Sequence, residues 1–206
     1  ELDGVLLADA EGALWTSERI EAGRMRDVPL LDRIVVGLDP ATTAGAGSDE
    51  CGIVVVGAQT QGPPQDWRAV VLADCTVQGA TPSGWARAAI SAMAQYGADR
   101  LVAEVNQGGQ MVAEVLRQVD PLVPVKSVHA SRGKVARAEP VAALYEQGRV
   151  GHVAGLDALE DQMCRMTARG YEGGGSPDRV DALVWALHEL MIEPAAQWRM
   201  PGVRGL

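Results

Sequence analysis

Phenylalanine is absent from this sequence, and aromatic residues together make up only 4% of its 206 residues. Proteins that hold single-stranded nucleic acid commonly stack bases on aromatic side chains, so this composition disfavours that mode of binding. An apolar run long enough to span a membrane is also missing, as is a secretory signal peptide. With 47% apolar residues, the sequence predicts a soluble cytoplasmic protein with one good core and no membrane partner.

Cysteine is scarce, and Cys51, Cys75 and Cys164 are far apart and odd in number. They lack the paired spacing of a zinc site, so we expect reduced, buried thiols and no zinc. The phosphate-binding motif Gly-x-x-x-x-Gly-Lys-Ser/Thr is missing too, which excludes a P-loop ATPase within these residues.

Positive charge is also in deficit, because 18 basic residues face 27 acidic ones and give a net charge of −9. Residues 1–32 hold eight acidic and three basic side chains, which accounts for −5 of that total. A basic strip nevertheless lies between Val123 and Ala138, where no acidic residue occurs. Its members are Lys126, His129, Arg132, Lys134 and Arg137. This strip predicts contacts with nucleic-acid phosphates, and the alternative is an ordinary solvated loop.

Three apolar runs in the first half of the chain predict strands. They are Arg33–Asp39, Cys51–Gly57 and Ala69–Ala73. Pro40 and Gly45 break the first run, and short turn-rich loops join the three, so a three-stranded antiparallel meander is expected.

The second half alternates between the two periodicities. Apolar residues at three- and four-residue spacings predict a helix from Pro82, capped by Thr81 and stopped by Gly97. The next segments are predicted as strand, helix, strand and helix in turn: Arg100–Val105, Gln110–Val119, Val123–Val128 and Lys134–Gln147. Such alternation is typical of parallel strands with helical crossovers. The predicted fold class is α/β, with a mixed sheet of an antiparallel meander followed by parallel strands, flanked by helices.

Four carboxylates stand out against this background: Asp39, Glu104, Asp178 and Asp181. The first two come at strand ends, whereas the last two share one face of a helix that begins near Ser176, its expected cap, and runs to about Ile192. Alternatively, Asp178 only interacts with the helix dipole and Asp181 faces solvent. A converging acidic cluster repels itself unless divalent cations hold it together, so the set points to metal-dependent phosphodiester chemistry.

These residues and the motifs around them resemble a known family. The matching segments are Val36–Pro40, Cys51–Gly57, Arg137–Pro140, Tyr145–Val150 and Ser176–Ala182. The acidic signature is similar to that of the ribonuclease H-like nucleases. More closely, the segments resemble the C-terminal nuclease domain of the phage large terminase, in the variety found in gene transfer agents and related prophages. The resemblance covers nearly the whole chain.

The resemblance implies an endonuclease that cuts concatemeric double-stranded DNA during genome packaging in the bacterial host cytoplasm, with little sequence specificity. Residues 1–32 would then be the connecting segment from an N-terminal packaging ATPase domain, and 33–206 the ribonuclease H-like nuclease domain. Leu14 and Trp15 in the connecting segment are candidates to fold back onto the nuclease, unless the segment is a poorly ordered terminus. Portal and small terminase subunits are the further partners that the resemblance implies.

The implied chemistry uses two Mg²⁺ or Mn²⁺ ions about 3.5–4 Å apart, one activating water and the other stabilising the leaving oxygen. Asp39 is the expected bridging ligand and Glu104 a ligand of one ion, while Asp178 and Asp181 remain alternatives or partners for the other ion. Two other functions stay open: a junction-resolvase-like nuclease, and a non-catalytic docking module of the packaging motor. An actin-like ATPase, suggested by the turn after Asp39, would need a longer chain.

Overall fold

The computed structural model describes residues 9–40, 50–105 and 109–199. Two features expected from the sequence therefore lie outside the described residues: the loop at Gly45 and the first eight residues of the connecting segment.

The strands of the described residues are short and mostly buried. In chain order they are β1 (Arg33–Asp39), β2 (Glu50–Gln59), β3 (Arg68–Asp74), β4 (Val77–Gln78), β5 (Arg100–Glu104), β6 (Val125–Val128), β7 (Val150–His152), β8 (Met166–Thr167) and β9 (Gly170–Tyr171). The main sheet has the order β6-β5-β1-β2-β3-β7, with β4 paired to β2, while β8 and β9 form a separate hairpin. Strands β1, β2 and β3 are antiparallel neighbours, whereas β5, β6 and β7 join in parallel. The predicted meander followed by parallel strands is confirmed.

Helices cover both faces of this sheet. They are α1 (Ser17–Ala22), α2 (Pro82–Tyr96), α3 (Gly109–Val119), α4 (Lys134–Glu146), α5 (Asp157–Met163), α6 (Asp178–Leu187) and α7 (Glu193–Gln197), with a π-helical turn at His188–Ile192. The predicted bounds of α2 are confirmed, because the Thr81 side chain accepts a hydrogen bond from Gly84 N and Gly97 adopts the left-handed conformation that ends a helix.

Two apolar clusters fill the two sides of the sheet. Alternate residues of β1 point to opposite faces, so Val35 packs with α4, α5 and α6, whereas Val36 and Leu38 pack with α2 and α3. Asp39 is in phase with Val35 and therefore belongs to the α6 face. Helix α6 is the central element on that face.

Two glycines let α6 approach the sheet closely. A Cβ atom added to Gly37 on β1 would lie 2.0 Å from the carbonyl oxygen of Ala182, and one added to Gly52 on β2 would lie 2.0 Å from the carbonyl oxygen of Asp178. Because any larger residue would collide with helix backbone, these glycines fix the height of α6 above β1 and β2.

Residues 9–32 pack against the rest of the fold, and Arg24 and Met25 lie beside His152 of β7. Trp15 is 0% exposed within the core, and the Arg24 guanidinium makes a bidentate pair with Glu160 of α5 at 2.7 and 2.8 Å. Glu160 also forms a hydrogen bond with His152 Nδ1 at 2.9 Å, and the other ring nitrogen of His152 forms one with the Tyr145 hydroxyl at 2.7 Å. Burial raises the pKa of Glu160, but its bonds to His152 and Arg24 outweigh this and lower the pKa to about 2. The domain boundary at residue 32 stays a prediction, although the described part of this segment is tied into the fold.

The end of the chain differs from expectation in three ways. Regular α-helix ends at Leu187 rather than near Ile192. Ser176 does not cap α6, since Pro177 is the N-cap and makes no side-chain cap bond; the Ser176 hydroxyl instead accepts a hydrogen bond from Lys134 Nζ at 2.9 Å. Strand β7, α5 and the β8–β9 hairpin were not predicted. No helix among the described residues combines the length and apolar character needed to cross a lipid bilayer.

Candidate metal centre and nucleic-acid surface

Two of the four carboxylates are positioned by parallel strands. Strands β1 and β5 pair in parallel with Leu38 opposite Ala103, so Asp39 and Glu104 follow as neighbours at the same sheet edge. Adjacent strands lie about 4.8 Å apart, which places the two backbones in direct proximity. Glu104 is buried and Asp39 is partly buried. The strand-end prediction for these two residues therefore agrees with the geometry.

The other two carboxylates stand on the first turn of α6 and are also buried. Asp181 is only 3% exposed, which rules out the alternative of a solvated helix face. The start of the helix is fixed by Arg179, whose Nε donates to Asp74 at 2.8 Å and whose guanidinium also pairs with Glu50. Its backbone N–H donates to the side chain of Gln162 on α5 at 3.1 Å.

The four carboxylates interact electrostatically. Burial raises the pKa of Asp39 well above its usual range, and the negative charges of Asp181, Glu104 and Asp178 raise it further, against a smaller opposite effect from Lys134. The structure thus brings all four predicted side chains to one place, where negative charge accumulates.

Two cations from α4 enter this acidic cluster. The Lys134 ammonium bonds to Asp181 Oδ2, and Arg137 Nη2 donates to Asp181 Oδ1 at 2.9 Å. Burial lowers the pKa of Lys134, but the charge and hydrogen bond of Asp181 and the charges of Asp39 and Asp178 outweigh it, so the pKa is raised. Lys134 therefore stays positively charged and offsets part of the acidic cluster.

Arg137 also connects Asp181 to Glu104. Its Nη2 lies 3.4 Å from Glu104 Oε2, and its guanidinium carbon lies 4.8 Å from the centre of the Trp185 ring, a cation–π distance. The Trp185 indole N–H donates to the same Glu104 oxygen at 2.5 Å. His188 donates through Nε2 to the Arg137 carbonyl oxygen at 2.9 Å, and burial lowers the pKa of this histidine. These contacts hold Glu104 and Asp181 in fixed orientations.

The donor set suits hard divalent cations, because Mg²⁺ and Mn²⁺ prefer carboxylate oxygens. Burial, followed by the negative charges of Asp181, Glu104 and Asp178, raises the pKa of Asp39, and of the cations only Lys134 is seen to oppose this. Among the described residues, however, no three histidine, cysteine or acidic side chains are already arranged to hold an ion. The residues fit such a metal chemically, and the metal would compete with Lys134 and Arg137 for their oxygens.

The residues of the predicted phosphate-binding strip lie in three different places. His129, Arg132 and Lys134 lie along the exposed approach to the N-terminus of α4, next to the carboxylates. Lys126 lies further back along β6, where its ammonium bonds to Glu189 at 2.7 Å and Glu193 at 2.5 Å. Arg137 is buried in the cluster.

Sequence reasoning missed the roles of Arg179, Trp185 and Ser176. Arg179 stands between the two aspartates in the sequence, and Trp185 follows Asp181 by one helical turn. Both positions are therefore close to the acidic residues of the helix, and this closeness could have indicated a role at the site. The partners of Arg179 and Ser176 come from distant segments and could not be read from local spacing.

A mixed sheet with carboxylates at two adjacent strand ends and on one covering helix defines a ribonuclease H-like nuclease fold. The family model of the terminase RNaseH-like domain matches residues 36–190. The chain belongs to this family, which supports a nuclease role in DNA packaging.

Solved structures agree on the fold. The P22 large terminase nuclease domain matches with a TM-score of 0.61 and 10% identity, covering 84% of this chain and 89% of that one. The large terminase nuclease of thermophilic phage G20c with bound cobalt matches with a TM-score of 0.59 and 18% identity, over 86% and 97% of the two chains. Its form with bound magnesium matches with a TM-score of 0.56 and 19% identity, over 75% and 79%. The HK97 bacteriophage large terminase matches with a TM-score of 0.59 and 12% identity, over 86% of this chain and 43% of that one. No curated protein sequence matches.

Proposed function

We propose that this chain is a divalent-metal-dependent endonuclease that cuts concatemeric double-stranded DNA during genome packaging. The observation that carries the proposal is the convergence of Asp39, Glu104, Asp178 and Asp181 from two parallel strand ends and one helix. Bound magnesium in the related G20c nuclease supports the choice of metal. Two Mg²⁺ or Mn²⁺ ions held by these carboxylates would supply Lewis-acid stabilisation of the charge that develops during phosphodiester hydrolysis.

The chain's own residues prepare the site. Trp185 and Arg137 orient Glu104, and the anchoring of Arg179 to β2 and β3 fixes the helix turn that carries Asp178 and Asp181. Such anchoring matters because a displacement of about 1 Å at a reacting centre can reduce rates by about 100-fold.

DNA is expected to approach across the exposed N-terminus of α4. Helix N-termini favour phosphate groups, and His129, Arg132 and Lys134 supply side-chain donors there. Few phosphates can be neutralised by so small a group, so binding should be weak, salt-sensitive and nearly independent of sequence. Lys126 and Arg137 stay proposed phosphate ligands on the sequence pattern alone, because Lys126 pairs with two carboxylates and Arg137 is buried.

In its biological setting, we propose that the domain works with a packaging ATPase domain, a portal and a small terminase subunit. The match to less than half of the HK97 large terminase supports a place within a larger protein.

The test is cleavage of supercoiled plasmid by the purified chain with Mn²⁺ or Mg²⁺. We expect nicked and linear products, and a loss of about 100-fold or more for Asp39→Asn, which keeps the shape of the side chain but removes its charge. The matched control is Asp120→Asn, a charge removal just after α3, which packs on the opposite face of the sheet from α6. Equal cleavage by Asp39→Asn would refute the mechanism. Preference for branched over linear DNA would favour a junction resolvase, and no cleavage at any metal concentration would favour a docking module.

A further inference from the structure

Lys134 occupies a central position among the carboxylates. Its ammonium bonds to Asp181 Oδ2 and to the Ser176 hydroxyl, and the charges of Asp39 and Asp178 also act on it. The ammonium thus makes direct contact with one of the four carboxylates, and its charge also acts on two others. The ammonium fills the role of a cation in the acidic cluster.

Asp181 has no oxygen without a cation partner. Lys134 bonds to one oxygen and Arg137 to the other. A metal ion that binds the Asp181 carboxylate therefore competes with these two cations for the same oxygens.

Lys134 is the cation that can leave. Its side chain is 42% exposed and starts from the first residue of α4, after an exposed loop. Arg137 is 6% exposed and is held at once by Asp181, Glu104 and the Trp185 ring. Removing its guanidinium would expose buried charges, whereas the lysine ammonium can swing to solvent by side-chain rotation.

We propose that the Lys134 ammonium holds the place of a metal ion in the metal-free domain, and that metal binding releases this side chain to contact a DNA phosphate. The proposal rests on the proposed function and adds regulation to the same site. Released lysine would join His129 and Arg132 at the α4 N-terminus. Metal and DNA would then bind with positive cooperativity, because each favours the state in which the lysine has left Asp181.

The first experiment measures Mn²⁺ binding without DNA, from the electron paramagnetic resonance signal of the unbound ion, at mildly alkaline pH. Lys134→Met removes the competitor, so its apparent Kd for Mn²⁺ should fall about threefold to fivefold, as expected for loss of a partly exposed ion pair. Arg87→Met removes the same charge from the exposed face of α2, on the other side of the sheet, and should leave the Kd unchanged. Lys134→Arg keeps a cation and should restore a Kd near or above that of the parent.

The second experiment measures affinity for a short DNA duplex in EDTA and in Ca²⁺, which also takes oxygen ligands. Ca²⁺ should strengthen binding by the parent and by Arg87→Met, and much less by Lys134→Met, because only the first two have a lysine to release. Equal Ca²⁺ enhancement in all three proteins would overturn the proposal.

The two failures can be told apart. Mn²⁺ binding by the parent with an unchanged or higher Kd in Lys134→Met would refute the placeholder role while leaving the metal-dependent nuclease intact. Absence of Mn²⁺ binding in every variant would refute both.

Discussion

The close approach of α6 to the sheet gives a sharp prediction for Gly52→Ala. The added Cβ would lie 2.0 Å from the carbonyl oxygen of Asp178, whereas real Cβ contacts essentially never fall below 3.0 Å. The obstacle is helix backbone, so no side-chain rotation can relieve it. The first turn of α6 must therefore move away from β2 by about 1 Å, or the strand must distort by as much.

Two magnitudes follow from that displacement. Overpacking of this kind costs about 1–3 kcal/mol of unfolding free energy. Asp178 and Asp181 belong to the displaced turn, whereas Asp39 stays on β1. The distances between their carboxylates therefore change by about 1 Å, and a shift of that size costs about 100-fold in rate. A 100-fold loss of rate corresponds to about 2.7 kcal/mol of activation free energy. The stability cost is of similar size and smaller than the usual total stability of a domain, so the variant should stay folded while it cleaves slowly.

The assay combines thermal unfolding with Mn²⁺-dependent plasmid nicking. Gly174→Ala is the matched control, since an added Cβ there meets nothing within 4 Å and the residue lies in the loop just before α6. We expect Gly174→Ala to behave like the parent and Gly52→Ala to remain folded but cleave about 100-fold more slowly. Nicking by Gly52→Ala within a few-fold of the parent would refute the argument that this glycine sets the position of the acidic helix.

Three further predictions concern ion pairs and a buried hydrogen bond. Glu160→Gln should cost about 1–2 kcal/mol of unfolding free energy above about pH 4.5, which is less than the full pKa shift would give because solvent screens this half-buried carboxylate. The difference should vanish as the pH falls towards about 2, because the folded pKa of Glu160 lies below its unfolded value. Arg137→Met should destabilise the metal-free protein by about 3–5 kcal/mol, since it removes the buried guanidinium that pairs with both Glu104 and Asp181, and Mn²⁺ should restore part of the loss. Trp185→Phe keeps an aromatic ring but removes the indole donor to Glu104, which should cost about 1–3 kcal/mol. Each is measured by denaturant unfolding, the first as a function of pH.

Each of these has a control and an opposing result. Asp161→Asn alters an exposed carboxylate on the same helix as Glu160, and a pH-independent cost at Glu160 would contradict the assigned pKa. Arg169→Met removes a guanidinium whose side chain is 76% exposed, and a loss at Arg137 no larger than this one would contradict the buried role. For Trp185→Phe, stability equal to the parent would mean that the bond to Glu104 contributes nothing.

Elements with a strong local signal were predictable from the sequence. The bounds of β1, Arg33–Asp39, follow from a run of β-branched residues ended by Pro40, and those of α2 from an N-cap threonine and a C-terminal glycine. Strand β7 and the β8–β9 hairpin contain only two or three residues per strand, so their existence depends on partners that the fold supplies. The π-helical turn after Leu187 has no local signal that we recognise.

The candidate site shows the same division between local and distant information. Four acidic positions could be proposed because each follows a pattern in its own segment. The cations could not be placed, because Lys134 and Arg137 lie 47 and 44 residues before Asp181 and look in sequence like part of a solvent-facing basic strip. Only the packing of α4 against α6 turns them inward. Similarly, the sequence alone does not show why Gly37 and Gly52 occur inside strands. The reason is the close approach of the α6 backbone to both residues.

A buried acidic cluster needs cations that stabilise it without metal, and at least one of them must be able to give way when a metal ion binds. The two cations of α4 meet these demands differently, because they stand at different depths in the site. Arg137 is enclosed by two carboxylates and an aromatic ring, so it is suited to a permanent role in orientation. Lys134 stands at the exposed helix terminus and is suited to exchange. On this proposal, one lysine contributes to the stability of the metal-free domain and to DNA affinity in the loaded state, so a substitution there should improve metal binding at the expense of DNA binding.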